Sequence, residues 1–115
     1  MSLDYSQMGP RILYGLCRMI PTSNDCYRIP NYDRYRNGIK KVFNAMTFAN
    51  KQMTRFPKGV KQMFKEDIRF QEVSDAIQRY HSGIAHKFYV GIGHYLQYLE
   101  SQILIKVLLL SLIHI

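Results

Sequence analysis

Two groups of residues have types and spacings suited to chemistry on phosphates. The first is Asp4, which ends a short segment that reads as extended, with a helix expected a few residues later. A carboxylate there can reach a metal ion while its backbone stays fixed. One carboxylate binds Mg²⁺ weakly. Phosphoryl-transfer sites complete the shell with waters, substrate phosphates and a second carboxylate. Taken alone, Asp4 reads as an N-terminal surface residue or a helix cap. The second group is Arg36, Lys40, Asn44 and Phe48, each four residues after the last. At about 100° per residue they drift slowly around one side of a helix. Ile39, Val42, Met46 and Met53 form an apolar stripe roughly 145° away, and Lys51 joins the polar side. Such a helix buries one face and offers cations and an aromatic ring to a groove. That surface suits an anionic ligand with a planar end, with cations on phosphates and the ring against a base. A plain solvated basic face is the competing reading.

The string around Asp4 narrows the first group. Asp4-Tyr5-Ser6-Gln7-Met8-Gly9-Pro10-Arg11-Ile12-Leu13 closely resembles motif A of the family A (Pol I-like) DNA polymerases, Asp-Tyr-Ser-Gln-Ile-Glu-Leu-Arg-Ile-Leu, at seven of ten positions. The resemblance implies that Asp4 is a catalytic metal ligand for two Mg²⁺ ions and that the Tyr5 backbone carbonyl is a further ligand. Gln7 and Arg11 would support the site. Gly9 departs from the family's Glu, which packs near the sugar and excludes a 2′-OH. Single-subunit phage RNA polymerases, which share the fold, have Gly at that place. The 2′-OH is what separates RNA from DNA. Gly9 therefore reads either as a position tolerant of ribonucleotides or as a simple turn at the start of a helix. On the first reading, Gly9→Glu sharpens deoxynucleotide preference.

The second group resembles motif B of the same family, where Arg, Lys, an aromatic residue and Tyr stand four apart on the fingers helix. Arg36 and Lys40 match, Phe48 stands for the Tyr, and Asn44 departs from the aromatic position. The resemblance implies that Lys40 contacts an incoming triphosphate, with Arg36 beside it, and that Phe48 lies next to the templating base. The gap between the motifs is shorter than usual for DNA polymerases. Motif C, a His-Asp pair carrying the second metal ligand, is missing, since no His-Asp pair occurs in the chain. Two-metal transfer needs carboxylates on both sides of the ions. The expectation is a catalytically inactive segment of a polymerase-like parent.

These groups require elements to hold them. The pattern predicts a mainly α fold of about four helices, with at most one or two short strands at the N-terminus. The resemblance implies that this fold is an incomplete palm/fingers fragment of a right-hand polymerase. Residues 3–6 read as a short strand. A first helix is expected from Pro10 to about Ile20, with Ile12, Leu13, Leu16 and Ile20 inward. A second runs from Tyr32 or Asp33 to about Lys51, and Phe56-Pro57-Lys58-Gly59 breaks the pattern. A third covers about Val60 to Tyr80, with mixed charge outward. A last helix starts near Phe88 or Gly93, with Ile92, Leu96, Leu99, Ile103 and Val107 as its stripe.

The chain has 115 residues, 47% of them apolar, and 16 Lys and Arg against 8 Asp and Glu, for a formal charge of +8. These values exclude a multidomain enzyme and a low-complexity chain, and favour an anionic partner such as nucleic acid. Two cysteines and no secretory leader point to a reducing, cytoplasmic setting. The apolar C-terminal run is interrupted by Lys106 and His114 and is shorter than the roughly 20 residues of a bilayer span. A buried helix and no membrane partner are the expectation. His81, His86 and His94 lack metal-site spacing and read as structural or solvent residues. Tyr89, Tyr95 and Tyr98 read as core or partly buried.

Residues 110–115, Leu-Ser-Leu-Ile-His-Ile, are one translation of CTGTCTCTTATACACATC, a transposon-end sequence used in sequencing libraries. They are expected to be adapter-derived, leaving 1–109 as the polymerase-like region. The implied partners are nucleoside triphosphates, a nucleic acid template-primer and the missing palm and thumb segments. Two other classes fit parts of the sequence. One is a small basic helical module that binds nucleic acid without catalysis. The other is a helical interaction or membrane-surface protein built on the apolar C-terminus.

Overall fold

A computed structural model describes residues 7–113. Asp4, Tyr5 and the expected strand at 3–6 lie outside the described residues, as do His114 and Ile115. Four α-helices follow in order: α1 (Met8–Leu16), α2 (Arg36–Phe48), α3 (Phe70–Tyr80) and α4 (Gly93–Ile113). Three short 3₁₀ turns, Asp33–Tyr35, Lys61–Met63 and Ala85–Lys87, lie between them. No strand occurs among the described residues, so the mainly α expectation holds for them. Helix α1 packs beside α4, and α2 lies against α3 and α4.

Helix α1 ends four residues before the expected Ile20. Its last turn closes on Arg18, whose φ of 57° is left-handed. The Arg18 N–H donates to the Gly15 carbonyl at 3.0 Å, and the Met19 N–H donates to the Tyr14 carbonyl at 3.0 Å. This pair of bonds is a Schellman ending, normally made by glycine because a Cβ is strained there. Leu13 and Tyr14 are buried, whereas Leu16 and Ile20 are exposed, which corrects the expected inward face.

Helix α2 forms on the expected stripe. Ile39, Val42, Phe43 and Met46, at helical intervals, are all buried. The Phe43 ring meets Tyr27, His81 and Phe88 edge-to-face, with centroids 5.1–5.6 Å apart. Gly38 is required sterically, because a Cβ there would lie 2.6 Å from the Phe64 ring.

Helix α3 starts ten residues later than the predicted Val60. Gly59, at φ 82°, turns the chain, and the Lys61 amine ties down the following loop. That amine donates to the carbonyls of Glu66 at 3.0 Å and Ile68 at 2.7 Å. Phe64 takes an extended conformation that drives its ring between Tyr35 and Phe56. The inward residues of the predicted helix, Val60 and Phe64, are therefore buried from a loop.

A polar cluster closes the core. His81 is 1% exposed. Its Nε2 faces the Cys26 carbonyl at 2.7 Å, and its Nδ1 faces the Tyr14 hydroxyl at 2.5 Å. A carbonyl only accepts, so Nε2 carries the proton and Nδ1 accepts from Tyr14. The Thr22 hydroxyl stands 3.2 Å from the Tyr14 oxygen and 3.4 Å from the Tyr80 carbonyl. The ring thus joins α1, the loop after it and the end of α3.

Helix α4 corrects the expectation of a buried C-terminal helix. Only Gly93 and Leu96 in it are buried. Ile105, Leu108, Leu109, Leu110, Leu112 and Ile113 are 49–74% exposed. Its 21 residues also correct the expectation of too short a run: by length and composition, α4 is sufficient to cross a bilayer. The helix is anchored at its start, where the Tyr89 and Gly91 N–H groups donate to the carbonyls of Met46 and Ala49 at the end of α2. At about 1.5 Å per residue, 21 residues run well past that anchor.

Two predictions follow from these contacts. Arg18→Gly should stabilise the fold by about 1 kcal/mol by removing the left-handed strain, read as a rise of roughly 5 °C in the thermal midpoint. Burial holds the His81 ring below its ordinary value of 6.5, the Cys26 carbonyl only partly offsetting this. The unfolded chain therefore gains this proton at higher pH than the folded one. Stability is full above 6.5 and falls as pH drops toward the lowered folded value. Thermal melts between about pH 7.5 and 5 should show this decline, and His81→Gln should flatten it while lowering stability at the upper end.

Candidate nucleotide-binding site

The residues of the two motifs meet at one loop. Gln7 is buried, and its Oε1 accepts the Cys26 N–H at 2.8 Å. Arg11 is exposed and donates to the Asn24 carbonyl at 3.0 Å. Both side chains therefore hold residues 24–26 against the start of α1. Between those two anchor points, Asp25 forms a fork-on-fork pair with Arg36, from Nε at 2.6 Å and Nη2 at 3.1 Å. The Tyr27 N–H also donates to Asp25 at 3.1 Å, and the Arg36 guanidinium lies 5.5 Å above the Tyr27 ring. Arg36 holds the Asp25 carboxyl below its usual range, through hydrogen bonding more than through charge alone. The sequence motifs contain no hint of Asp25, because its partner is eleven residues away across a loop.

Lys40 and Asn44 follow on α2, each half-buried. Among the described residues, the Lys40 amine makes no hydrogen bond and no ion pair. Phe48 ends the row, 37% exposed, with its ring against His94 at 5.0 Å and a T-shaped angle of 83°. Gly93 makes this seat, since a Cβ there would lie 2.6 Å from the Phe48 ring. His94 is thus a wall of the site that spacing along the sequence could not assign. Tyr95 and Tyr98 are 50% and 58% exposed and stack on each other, which corrects the expectation of core or partial burial. Tyr89 is half-buried, and its hydroxyl is 2.7 Å from Ser74 Oγ.

Gly9 sits in the first turn of α1, and Glu100 of α4 is its neighbour. A Cβ on Gly9 would stand 3.2 Å from Glu100 Oε1. Burial pushes the Glu100 carboxyl up, and the nearby Gly9 N–H partly counters this. A carboxylate at a helix N-terminus also suits the helix dipole. The space that a side chain at position 9 would enter therefore already faces a carboxylate.

Among the described residues, no group of three His, Cys, Asp or Glu could hold a metal ion. Asp25, the acidic residue beside α2, has both oxygens engaged by Arg36 and Tyr27. The expected ligands, Asp4 and the Tyr5 carbonyl, lie outside the described residues.

The contact between Gly9 and Glu100 sets one expectation. Gly9→Glu should bring two carboxylates together and destabilise the fold by about 1 kcal/mol or more. Glu100→Gln should relieve that repulsion. Chemical denaturation of the two single variants and the double variant measures the coupling.

No protein-family model, curated protein or solved structure matches this chain.

Proposed function

We propose that this chain is a palm/fingers segment of a template-directed nucleotidyltransferase resembling the family A DNA polymerases, and that the outer face of α2 receives the triphosphate of an incoming nucleotide. The observation that carries this reading is the ordered pair of motifs. Seven of ten residues from Asp4 to Leu13 match the first, and Arg36, Lys40, Asn44 and Phe48 follow at the intervals of the second. Two features of α2 support it. The four residues leave the buried stripe of Ile39, Val42, Phe43 and Met46 to the core. Lys40 has an unengaged amine between the paired Arg36 and the exposed Phe48 ring.

In this reading Lys40 balances phosphate charge, Phe48 lies against a base, and Asp4 with the Tyr5 carbonyl holds Mg²⁺ in the parent enzyme. Gly9 lies at the sugar edge and leaves ribonucleotides tolerated. The second acidic ligand belongs to a motif this chain does not contain, so the chain binds nucleotide without turning it over. Template-primer and the remaining palm and thumb segments are its partners, in an intracellular setting.

A second reading has one observation in its favour. The core around Phe43 and His81 is closed, with Leu13, Ile39, Val42, Met46, Val73, Ile77 and Ile84 fully buried. A small basic module that binds nucleic acid without catalysis has such a core of its own.

Titration calorimetry with a magnesium nucleoside triphosphate separates the two. The polymerase reading expects binding that Lys40→Ala weakens about tenfold, the size of one charge-assisted contact. Phe48→Ala should have a smaller effect. Binding of oligonucleotide alone, with no triphosphate binding at millimolar concentration, would favour the non-catalytic module.

A further inference from the structure

The positive charge of this protein is concentrated in one stretch. Residues 34–65 contain nine Lys or Arg and no Asp or Glu. The remaining seven basic and eight acidic residues leave a balance of −1 elsewhere. An acid-free run of this length, folded onto one body, makes a local field that a dispersed +8 would not.

After α2, this stretch forms the wall of an open groove lined by residues 49–58. Lys51, Arg55 and Lys58 are exposed on it, and none makes a hydrogen bond or ion pair among the described residues. The backbone there is irregular. From Asn50 to Phe56, no N–H donates to a carbonyl or side chain among the described residues. The groove therefore has three unneutralised cations and a run of free backbone donors, with no carboxylate among its lining residues. A row of cations that can track a strand's phosphates is the electrostatic element of single-strand recognition. A groove built from one irregular segment also matches a single phosphodiester chain better than the two-sided backbone of a duplex.

We propose that the groove of residues 49–58 binds the phosphodiester backbone of single-stranded nucleic acid, with Lys51, Arg55 and Lys58 on successive phosphates. It deepens the reading above by assigning the strand to a surface distinct from the triphosphate face at Lys40. It rests on that reading only for the class of partner.

Fluorescence anisotropy of a labelled oligothymidylate, titrated with the full chain at several salt concentrations, tests it. The variant with Lys51, Arg55 and Lys58 all replaced by Ala should bind about tenfold or more weakly at roughly 0.1 M salt. Its salt slope should fall by about 2, at about 0.7 for each phosphate left without its cation. A charge-matched variant with Arg18, Arg79 and Lys106 replaced by Ala should keep the wild-type slope. Equal weakening in both variants would overturn the proposal, because net charge alone would then explain binding. So would unchanged affinity in the groove variant, or groove-dependent binding to phosphatidylserine vesicles without binding to the oligonucleotide. Lys40→Ala should leave oligonucleotide affinity within about twofold of wild type. A chain that binds the oligonucleotide through the groove but no triphosphate would refute the polymerase reading and leave the groove standing.

Discussion

The architecture depends on one buried imidazole. His81 is placed where three separate stretches converge, and each of its nitrogens satisfies a group that burial would otherwise strand. A buried polar atom without a partner costs about 1–3 kcal/mol, so losing His81 would strand the Cys26 carbonyl and leave the Tyr14 hydroxyl with only Thr22. Its ring also takes the edge of the Phe43 side chain, which fixes the inner face of α2. On the other side of Cys26, its N–H donates to the Gln7 amide oxygen, just before α1. The positions of α1, the 17–35 loop, α2 and α3 are therefore coupled through a single side chain. Such a network resists small rearrangements because each member's partner is already committed.

Local pattern and distant contact separate what residues alone reveal from what they do not. The stripe of Ile39, Val42 and Met46 foretells α2, because helical spacing is a local property and the structure buries that stripe. The ends of α1 and α3 escape such reading for a different reason. Arg18 enters a conformation normally taken by Gly, and Val60 and Phe64 reach the core from turns that imitate helical spacing. Apolar runs are usually buried, yet the rest of the described chain covers only the first turns of α4.

The candidate site shows the same division. The row on α2 is legible from its four-residue interval. Its neighbours are not. Asp25, His94 and Glu100 arrive from loops and helices far along the chain, and no spacing rule relates them to α2 or to Gly9. Each alters how the site behaves, by occupying a cation, seating a ring or filling the space beside a glycine.

The Arg36–Asp25 pair has a consequence for any anion that reaches this end of α2. Arg36 already holds an anion with the planar, two-oxygen geometry that a phosphate also presents. A phosphate that takes the same two donors competes with a carboxylate on the loop that Gln7 also holds. The competition sets a threshold: a weakly charged or badly placed anion leaves the pair intact, and the loop stays held by Gln7 and Arg11 in either case. An anion approaching this end of α2 thus meets a guanidinium whose paired donors are already committed to a carboxylate of the same chain, and selectivity for a strong, planar anion is built in before any ligand arrives.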